Sequence, residues 1–327
     1  MKGKFVFFLP ELRDPKALLL DLIGPEGELR EGGVRKLSED ELIRLAPEWD
    51  ALLITSREQI TGRVIEAAAR LRIIAKIGVG VENIDIPAAT RRRIPVTNCP
   101  GQNAVAVAEA ALALMLSATR RIPQYMRKLQ EGAWREVLTH TTELTGATFG
   151  IVGFGNIGQE LARLLRGFDG RILAYDPFLK ADQIRSHGAE PSCLDWLTRE
   201  ADFISLHCNL TPETRHMFGA DRFRMMKSSA FIVNCSRGAV IDEAALAEAL
   251  KSGEIAGTGI DVFEEEPPVK NNPLFSLPNT VVTPHLSGGT RQARERICRS
   301  AVENALRAVR GEEVDPIALL NPEVYKK

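Results

Sequence analysis

Charge of one sign is missing from this chain: 42 basic residues stand against 43 acidic ones, a net charge of −1. That balance provides no bulk attraction to nucleic acid or to anionic lipid. The clusters Arg91–Arg93 and Arg120–Arg121 end helical-looking segments, where cations suit the helix C-terminus. Long hydrophobic runs are missing too, and no stretch approaches the ~18 apolar residues of a membrane span. The N-terminal run Phe5 to Leu9 is shorter than a secretory h-region, and Pro10, Glu11, Arg13 and Asp14 break it off. Cysteine is sparse. Cys99, Cys193, Cys208, Cys235 and Cys298 are five, widely spaced, without a C-x-x-C. A disulfide framework or a zinc site is therefore not expected, and a reducing cytosol fits. Repeats and low-complexity segments are absent. The expectation is a cytoplasmic protein with no metal, no nucleic-acid partner and no membrane contact.

What is present is alternation. The chain has 327 residues, 44% of them hydrophobic and 26% charged, enough for two globular domains. The runs KFVFFL, DALLIT, RIIAKIG and IPVTN read as strands, with SEDELIRLA and TGRVIEAAARL as helices between them. Ser38 with Glu41 makes a capping box, and Thr61 is a candidate N-cap. A long helical stretch comes next, Gln102 to about Gln130, apolar around much of its circumference and in need of burial on several sides. A loop with Trp134 leads to a second alternating unit with strands TFGIVGFG, RILAYD, DFISLHC, SAFIVNC, GTGIDV and TVVTPH, closed by a helix from Thr290 to Arg310. Strands alternating with helices predict an α/β fold of two doubly wound parallel-sheet domains.

The second unit opens on Gly153-Phe154-Gly155-Asn156-Ile157-Gly158, a G-x-G-x-x-G between the run TFGIV and the helix QELARLLRGF. Asp176 ends the next strand, 23 residues after Gly153. In this context the motif reads as a dinucleotide site. Gly153 permits the tight turn, Gly155 lets a pyrophosphate approach the backbone, and Gly158 lets helix and strand pack closely. Asp176 suits a ribose 2′-hydroxyl and repels a 2′-phosphate, and no arginine comes directly after it. The expected cofactor is NAD rather than NADP.

Three further residues come after apolar strands: Arg237 in NCSRGAVIDE, Glu266 in DVFEEEPP and His285 in TPHLSGG. In open α/β sheets the C-terminal strand edge is where ligands bind. Hydride transfer to a 2-oxo acid needs a cation for the carboxylate and ketone, an acid for the developing alkoxide, and a carboxylate to orient that acid. Arg237, His285 and Glu266 supply those three types. Of the other histidines, His140, His187 and His216 read as surface residues, and His207 as lining the cofactor cleft. The turn Gly78-Val79-Gly80-Val81 reads as a backbone nest for the same carboxylate.

NCSRGAVIDE, GIDVFEEEP, TPHLSGGT, GFGNIG and GQNAVAVAEAALALML together resemble the D-isomer-specific 2-hydroxyacid dehydrogenase family, and the resemblance runs over nearly the whole chain. It implies a discontinuous flavodoxin-like substrate domain, residues 1–99 plus 290–327. It implies a Rossmann NAD-binding domain, residues 100–289, with a dimerisation helix at 102–130 in a homodimer. Carried over, Arg237, Glu266 and His285 match the family's catalytic residues. Asn156, Ile157, Asp176, Cys208, Cys235, Ser236, Asp261, Leu286, Ser287 and Gly288 match cofactor contacts, with Asp261 facing the nicotinamide amide. Val79, Gly80 and Val81, with Arg237 and His285, are the substrate-binding expectation.

Within the family the chain resembles the D-3-phosphoglycerate dehydrogenase and glyoxylate/hydroxypyruvate reductase branch. The expected substrate is a small 2-hydroxy or 2-oxo acid. One departure bears on its identity: Thr55 stands where the phosphoglycerate enzymes carry a phosphate-binding arginine, with Arg57 two residues on. No regulatory extension is expected after residue 327. The alternatives on the same fold are an NAD(H)-sensing binding protein of the corepressor type and a phosphite dehydrogenase.

Overall fold

The computed structural model describes residues 5–9, 16–33, 35–135 and 141–326. These form two compact units, Met1–Asn103 with Arg291–Lys327, and Ala104–Thr290.

In the first unit five strands are parallel: β1 (Phe5–Leu9), β2 (Gly27–Glu31), β3 (Ala51–Ile54), β4 (Ile73–Lys76) and β5 (Val96–Thr97), in the order β2-β1-β3-β4-β5. The central strands are wholly buried, which is why they read as unbroken apolar runs. Side chains alternate between two cores. Phe8, Leu52, Ile54 and Ile74 face Trp49, Val64 and Ile65, while Phe7, Leu9, Leu53 and Ala75 face Leu19, Ile23, Ala301 and Val302. The helix Arg291–Arg310 brings the end of the chain back onto this second face. Asn321 Oδ1 then accepts the Val96 N–H at 2.8 Å.

β2, sequence GELRE, has no apolar run to announce it. It is a charged edge strand, and Gly27 fits it closely against Phe7, where a Cβ would stand 2.4 Å from Cε2. The Ser38–Glu41 capping box is present. Thr61 sits at the N-cap of the helix Gly62–Ala67, but its hydroxyl donates to Glu39 instead of capping.

The second unit holds β6 (Thr148–Val152), β7 (Arg171–Tyr175), β8 (Glu190–Pro191), β9 (Phe203–Leu206), β10 (Phe231–Asn234), β11 (Gly257–Ile260) and β12 (Thr280–Val282). Their order is β12-β11-β10-β9-β6-β7-β8, all parallel. Direction of build reverses between β6 and β9, the switch point at which doubly wound sheets bind ligands. Phe149, Phe203 and Phe231 are register partners on three neighbouring strands and stack at 5.6 and 5.8 Å.

The expected helix 102–130 is two helices, Ala104–Thr119 and Ile122–Gln130. Arg121 between them has φ 51°, and Pro123 stands in the first turn of the second helix, where its ring forbids a continuous helix. The first helix lies on the sheet, close enough that a Cβ on Gly259 of β11 would meet Leu114 Cβ at 2.8 Å. The second buries none of its residues, and Ile122, Met126 and Leu129 form an exposed stripe along it.

Candidate active site

Every candidate residue of the second unit follows the C-terminal end of a strand, in the loop that leaves it or, for Asn156, Ile157 and Gly158, in the first turn of the next helix. After β6 the chain turns at Gly153, φ 87°. A Cβ there would lie 2.5 Å from the Cys208 nitrogen, so the turn rests directly on the chain leaving β9. A Cβ on Gly158 would lie 2.4 Å from the Gly153 oxygen. These two glycines are dictated by the protein's own packing. Gly155 is not, since a Cβ there would meet nothing within 4 Å. It caps the helix Asn156–Leu165 by position, with no side-chain bond to the N-terminal N–H groups. A glycine that packing does not require, before an uncapped helix end, fits a pyrophosphate against the backbone. Asp176 leans onto this loop. Its Oδ2 accepts the Phe154 N–H at 2.8 Å and its Oδ1 the Phe178 N–H at 2.9 Å. Each oxygen keeps a lone pair for a ribose hydroxyl.

The Arg237 turn is built by Asn234 at the end of β10. Its Oδ1 accepts from the Ser236 N–H (3.0 Å) and hydroxyl (2.7 Å), and its Nδ2 donates to the Arg237 carbonyl (2.9 Å). Arg237 Nη1 donates to the Ser236 carbonyl at 2.9 Å. Gly238 presses this turn against the chain after β11: a Cβ there would fall 1.9 Å from the Phe263 carbonyl.

Glu266 and His285 meet. The imidazole Nδ1 lies 2.6 Å from Glu266 Oε2, and Glu266 Oε1 accepts the Phe263 N–H at 3.1 Å. A carboxylate only accepts, so Nδ1 carries a proton and Nε2 is left for chemistry. The Glu266 hydrogen bond outweighs burial and, with the Glu266 and Asp261 charges, raises the His285 pKa above its ordinary value; Arg237 pulls the other way. Burial opposes ionisation of Glu266. The His285 hydrogen bond, the Phe263 N–H and the charges of His285 and Arg237 overcome it, and its pKa falls below the usual range. Arg237 thus acts electrostatically on both members of the pair.

Asp261, buried at the end of β11, organises the histidine loop. Its carboxylate accepts from the Thr283 hydroxyl (2.6 Å), the Leu286 N–H (3.0 Å) and the Ser287 N–H (2.9 Å), and its carbonyl accepts the His285 N–H (2.7 Å). Those bonds hold His285 at φ 53°, a left-handed conformation that costs a non-glycine residue about 1 kcal/mol. The role this geometry displays for Asp261 is to shape the histidine loop.

Residues 112–287 match the family model for the D-isomer specific 2-hydroxyacid dehydrogenase NAD binding domain. The chain belongs to the D-isomer-specific 2-hydroxyacid dehydrogenase family. It is 40% identical over 288 residues to a D-3-phosphoglycerate dehydrogenase of Archaeoglobus fulgidus, covering 88% of this chain and 54% of that one. It is 42% identical over 293 residues to a glyoxylate reductase of Korarchaeum cryptofilum, covering 88% of each. A crystal structure of the TT0316 protein of Thermus thermophilus superposes with a TM-score of 0.87 at 34% identity, over 97% of this chain and 100% of that one. The chain spans about half the length of the phosphoglycerate dehydrogenases that it matches.

The matched family domain binds NAD, and it spans the glycine turn, Asn156, Ile157 and Asp176. Cys208 and Cys235 lie at strand ends beside that turn and the Arg237 turn. Burial pushes their thiols up to about 11 and about 12, so neither is a nucleophile at neutral pH. The Ser287 hydroxyl reaches Cys235 Sγ at 3.5 Å, which joins the arginine and histidine loops. His207 follows β9 directly, with Nε2 2.9 Å from Ser205 Oγ. Burial lowers its pKa to about 3, and it stays neutral. His187 and His216 are exposed, and His140 lies outside the described residues. Asp176→Ala is expected to weaken NAD binding about tenfold or more, the value of charge-assisted hydrogen bonds, and to erase most of the preference over NADP. Fluorescence titration with both cofactors checks it; unchanged discrimination would assign selectivity elsewhere.

In the first unit Val79, Gly80 and Val81 form the turn after β4, with the Val79 carbonyl held by Asn98 Nδ2 at 2.8 Å. Arg57 is tied to Glu58 Oε1 (2.8 Å) and to the Arg35 carbonyl (2.9 Å). Lys76 is hidden from a sequence reading inside its apolar run. It is 1% exposed, and its ammonium donates to the Thr55 carbonyl, the Ser56 hydroxyl and Asn83 Oδ1.

Proposed function

We propose that this chain is an NAD-dependent oxidoreductase that moves a hydride between the nicotinamide and C2 of a small D-2-hydroxy or 2-oxo acid. The observation that carries the reading is the 2.6 Å His285–Glu266 pair. Bound NAD supplies the hydride donor or acceptor. Arg237 takes the substrate carboxylate in its planar fork and polarises the C2 carbonyl. Glu266 fixes the imidazole through Nδ1. His285 Nε2 delivers a proton to the C2 oxygen in reduction and removes it in oxidation. Asp261 keeps the His285 loop in the shape that aims Nε2. The D-configuration follows from the family.

For the substrate, short unphosphorylated acids such as glyoxylate and hydroxypyruvate are favoured over 3-phosphoglycerate. Thr55 carries no charge, Arg57 is bound to Glu58, and Lys76 is enclosed by three acceptors. The glyoxylate reductase relative agrees with this choice. For assembly, a homodimer is proposed, with a second copy on the exposed stripe Ile122, Met126 and Leu129. The location proposed is the cytoplasm.

The substrate proposal is tested by monitoring NADH consumption with glyoxylate, hydroxypyruvate, pyruvate and 2-oxoglutarate, beside NAD reduction with D-3-phosphoglycerate and with phosphite. Turnover of glyoxylate or hydroxypyruvate without phosphoglycerate is the expected pattern. Efficient phosphoglycerate oxidation would overturn the choice, and NADH binding with silence toward every acid would overturn the enzyme reading.

A further inference from the structure

A second histidine–carboxylate pair stands on the same loop as the first. His216 Nε2 lies 3.1 Å from Glu264 Oε2, two residues before Glu266. Glu264 Oε1 accepts the N–H of Glu243 (2.8 Å), the first residue of the helix Glu243–Ser252. The Glu264 N–H donates back to Glu243 Oε2 (3.2 Å), and Glu243 Oε1 accepts from the buried Asn272 side chain. His216 is also tied to the arginine turn, since its N–H donates to the Ala239 carbonyl at 2.8 Å. Between Arg237 and Ala239, Gly238 abuts the Phe263 carbonyl and the Glu264 nitrogen.

The contacts close a circuit. The His216 segment is bonded to the Arg237 turn, that turn rests on Phe263 and Glu264, and Glu264 is bonded back to His216 and to the helix start. Glu266 is oriented from inside the circuit, because its Oε1 takes the Phe263 N–H. The His216 and Glu264 side chains are 37% and 28% exposed. An exposed pair of that kind adds little to global stability, so its consequence lies in geometry.

We propose that Glu264 is a positioning residue. It fixes the segment Phe263–Glu266 against the Arg237 turn and so sets the Glu266–His285 distance. This rests on the function proposed above. The plain structural role, capping the helix Glu243–Ser252, is separable, because Asp242 caps the same helix through Ala245 without touching the loop.

The test compares Glu264→Ala, Glu264→Gln and Asp242→Ala in the full chain with NADH bound. Misplacement by about 1 Å, caused away from the reacting atoms, costs up to about 100-fold. Glu264→Ala is expected to lose kcat by about that factor, with KM for NADH unchanged and a Tm no lower than that of Asp242→Ala. Glu264→Gln retains an acceptor for the Glu243 N–H and should recover most of the loss. A second readout needs no substrate: the His285 ring is titrated by NMR, its signal identified by its loss in His285→Asn. The groups facing that ring are Glu266, Asp261 and Arg237. In Glu264→Ala the raised pKa is expected to move down toward the ordinary histidine value. A kcat within twofold of the parent, or equal loss in Glu264→Ala and Asp242→Ala, overturns the proposal. If the parent turns over no acid, the NMR arm decides alone, and an unmoved His285 titration overturns it.

Discussion

His285→Ala is expected to lower kcat for reduction of a 2-oxo acid by about 10²- to 10⁴-fold, the range of a well-placed general acid. NADH affinity should stay near that of the parent. Reduction needs the proton on His285, and Glu266, 2.6 Å away, raises the pKa that governs it. The rate of reduction should therefore hold through neutral pH and fall only as pH climbs through that raised value. Oxidation of the hydroxy acid needs the neutral ring and should rise over the same interval. Glu266→Gln removes the charge and the best acceptor, so the His285 pKa drops back toward its ordinary value. Both limbs then shift to lower pH, and reduction at neutral pH suffers most. Initial rates in both directions, from about pH 5 to pH 10 to bracket histidine, give the answer. A limb that stays in place in Glu266→Gln would detach it from this pair.

Arg237→Ala is expected to cut kcat/KM by about 10³-fold, which is about 4 kcal/mol of transition-state stabilisation. The guanidinium is assigned two tasks, holding the carboxylate and polarising the ketone, and alanine removes both. Lysine supplies charge without the fork, so Arg237→Lys should recover only part of the loss. The turn that carries the residue is secured by Asn234 and Gly238 rather than by the guanidinium alone. NADH binding and Tm should therefore change little. Near-normal turnover in Arg237→Ala would end the clamp assignment.

Much of this is legible in the chain because the responsible residues announce themselves locally. Buried parallel strands read as apolar runs, and that pattern marks every strand but β2 and β8. The first of these is a charged edge strand that depends on Gly27, and the second has two residues. The split of helix 102–130 is written in Pro123, whose ring penalty outweighs the apolar pattern around it. Gly153 and Gly158 have the packing roles that their motif implies. What local pattern does not carry is pairing across long separations. Asp261 gripping Leu286 and Ser287, 25 and 26 residues on, is one case. His216 reaching Glu264, 48 residues on, is another. Each partner alone is an ordinary loop residue, and the parallel order of β9, β10, β11 and β12 brings them together.

The central claim, that His285 held by Glu266 is the proton carrier of a 2-oxo acid reductase, is tested by one paired measurement. NADH oxidation with hydroxypyruvate is recorded for the parent and for His285→Ala, each with its NADH affinity measured by fluorescence. Turnover in the parent, a loss of at least about 10²-fold in the variant, and matching affinities are expected. Equal turnover in the two proteins, or tight NADH binding with no turnover in the parent, would contradict it.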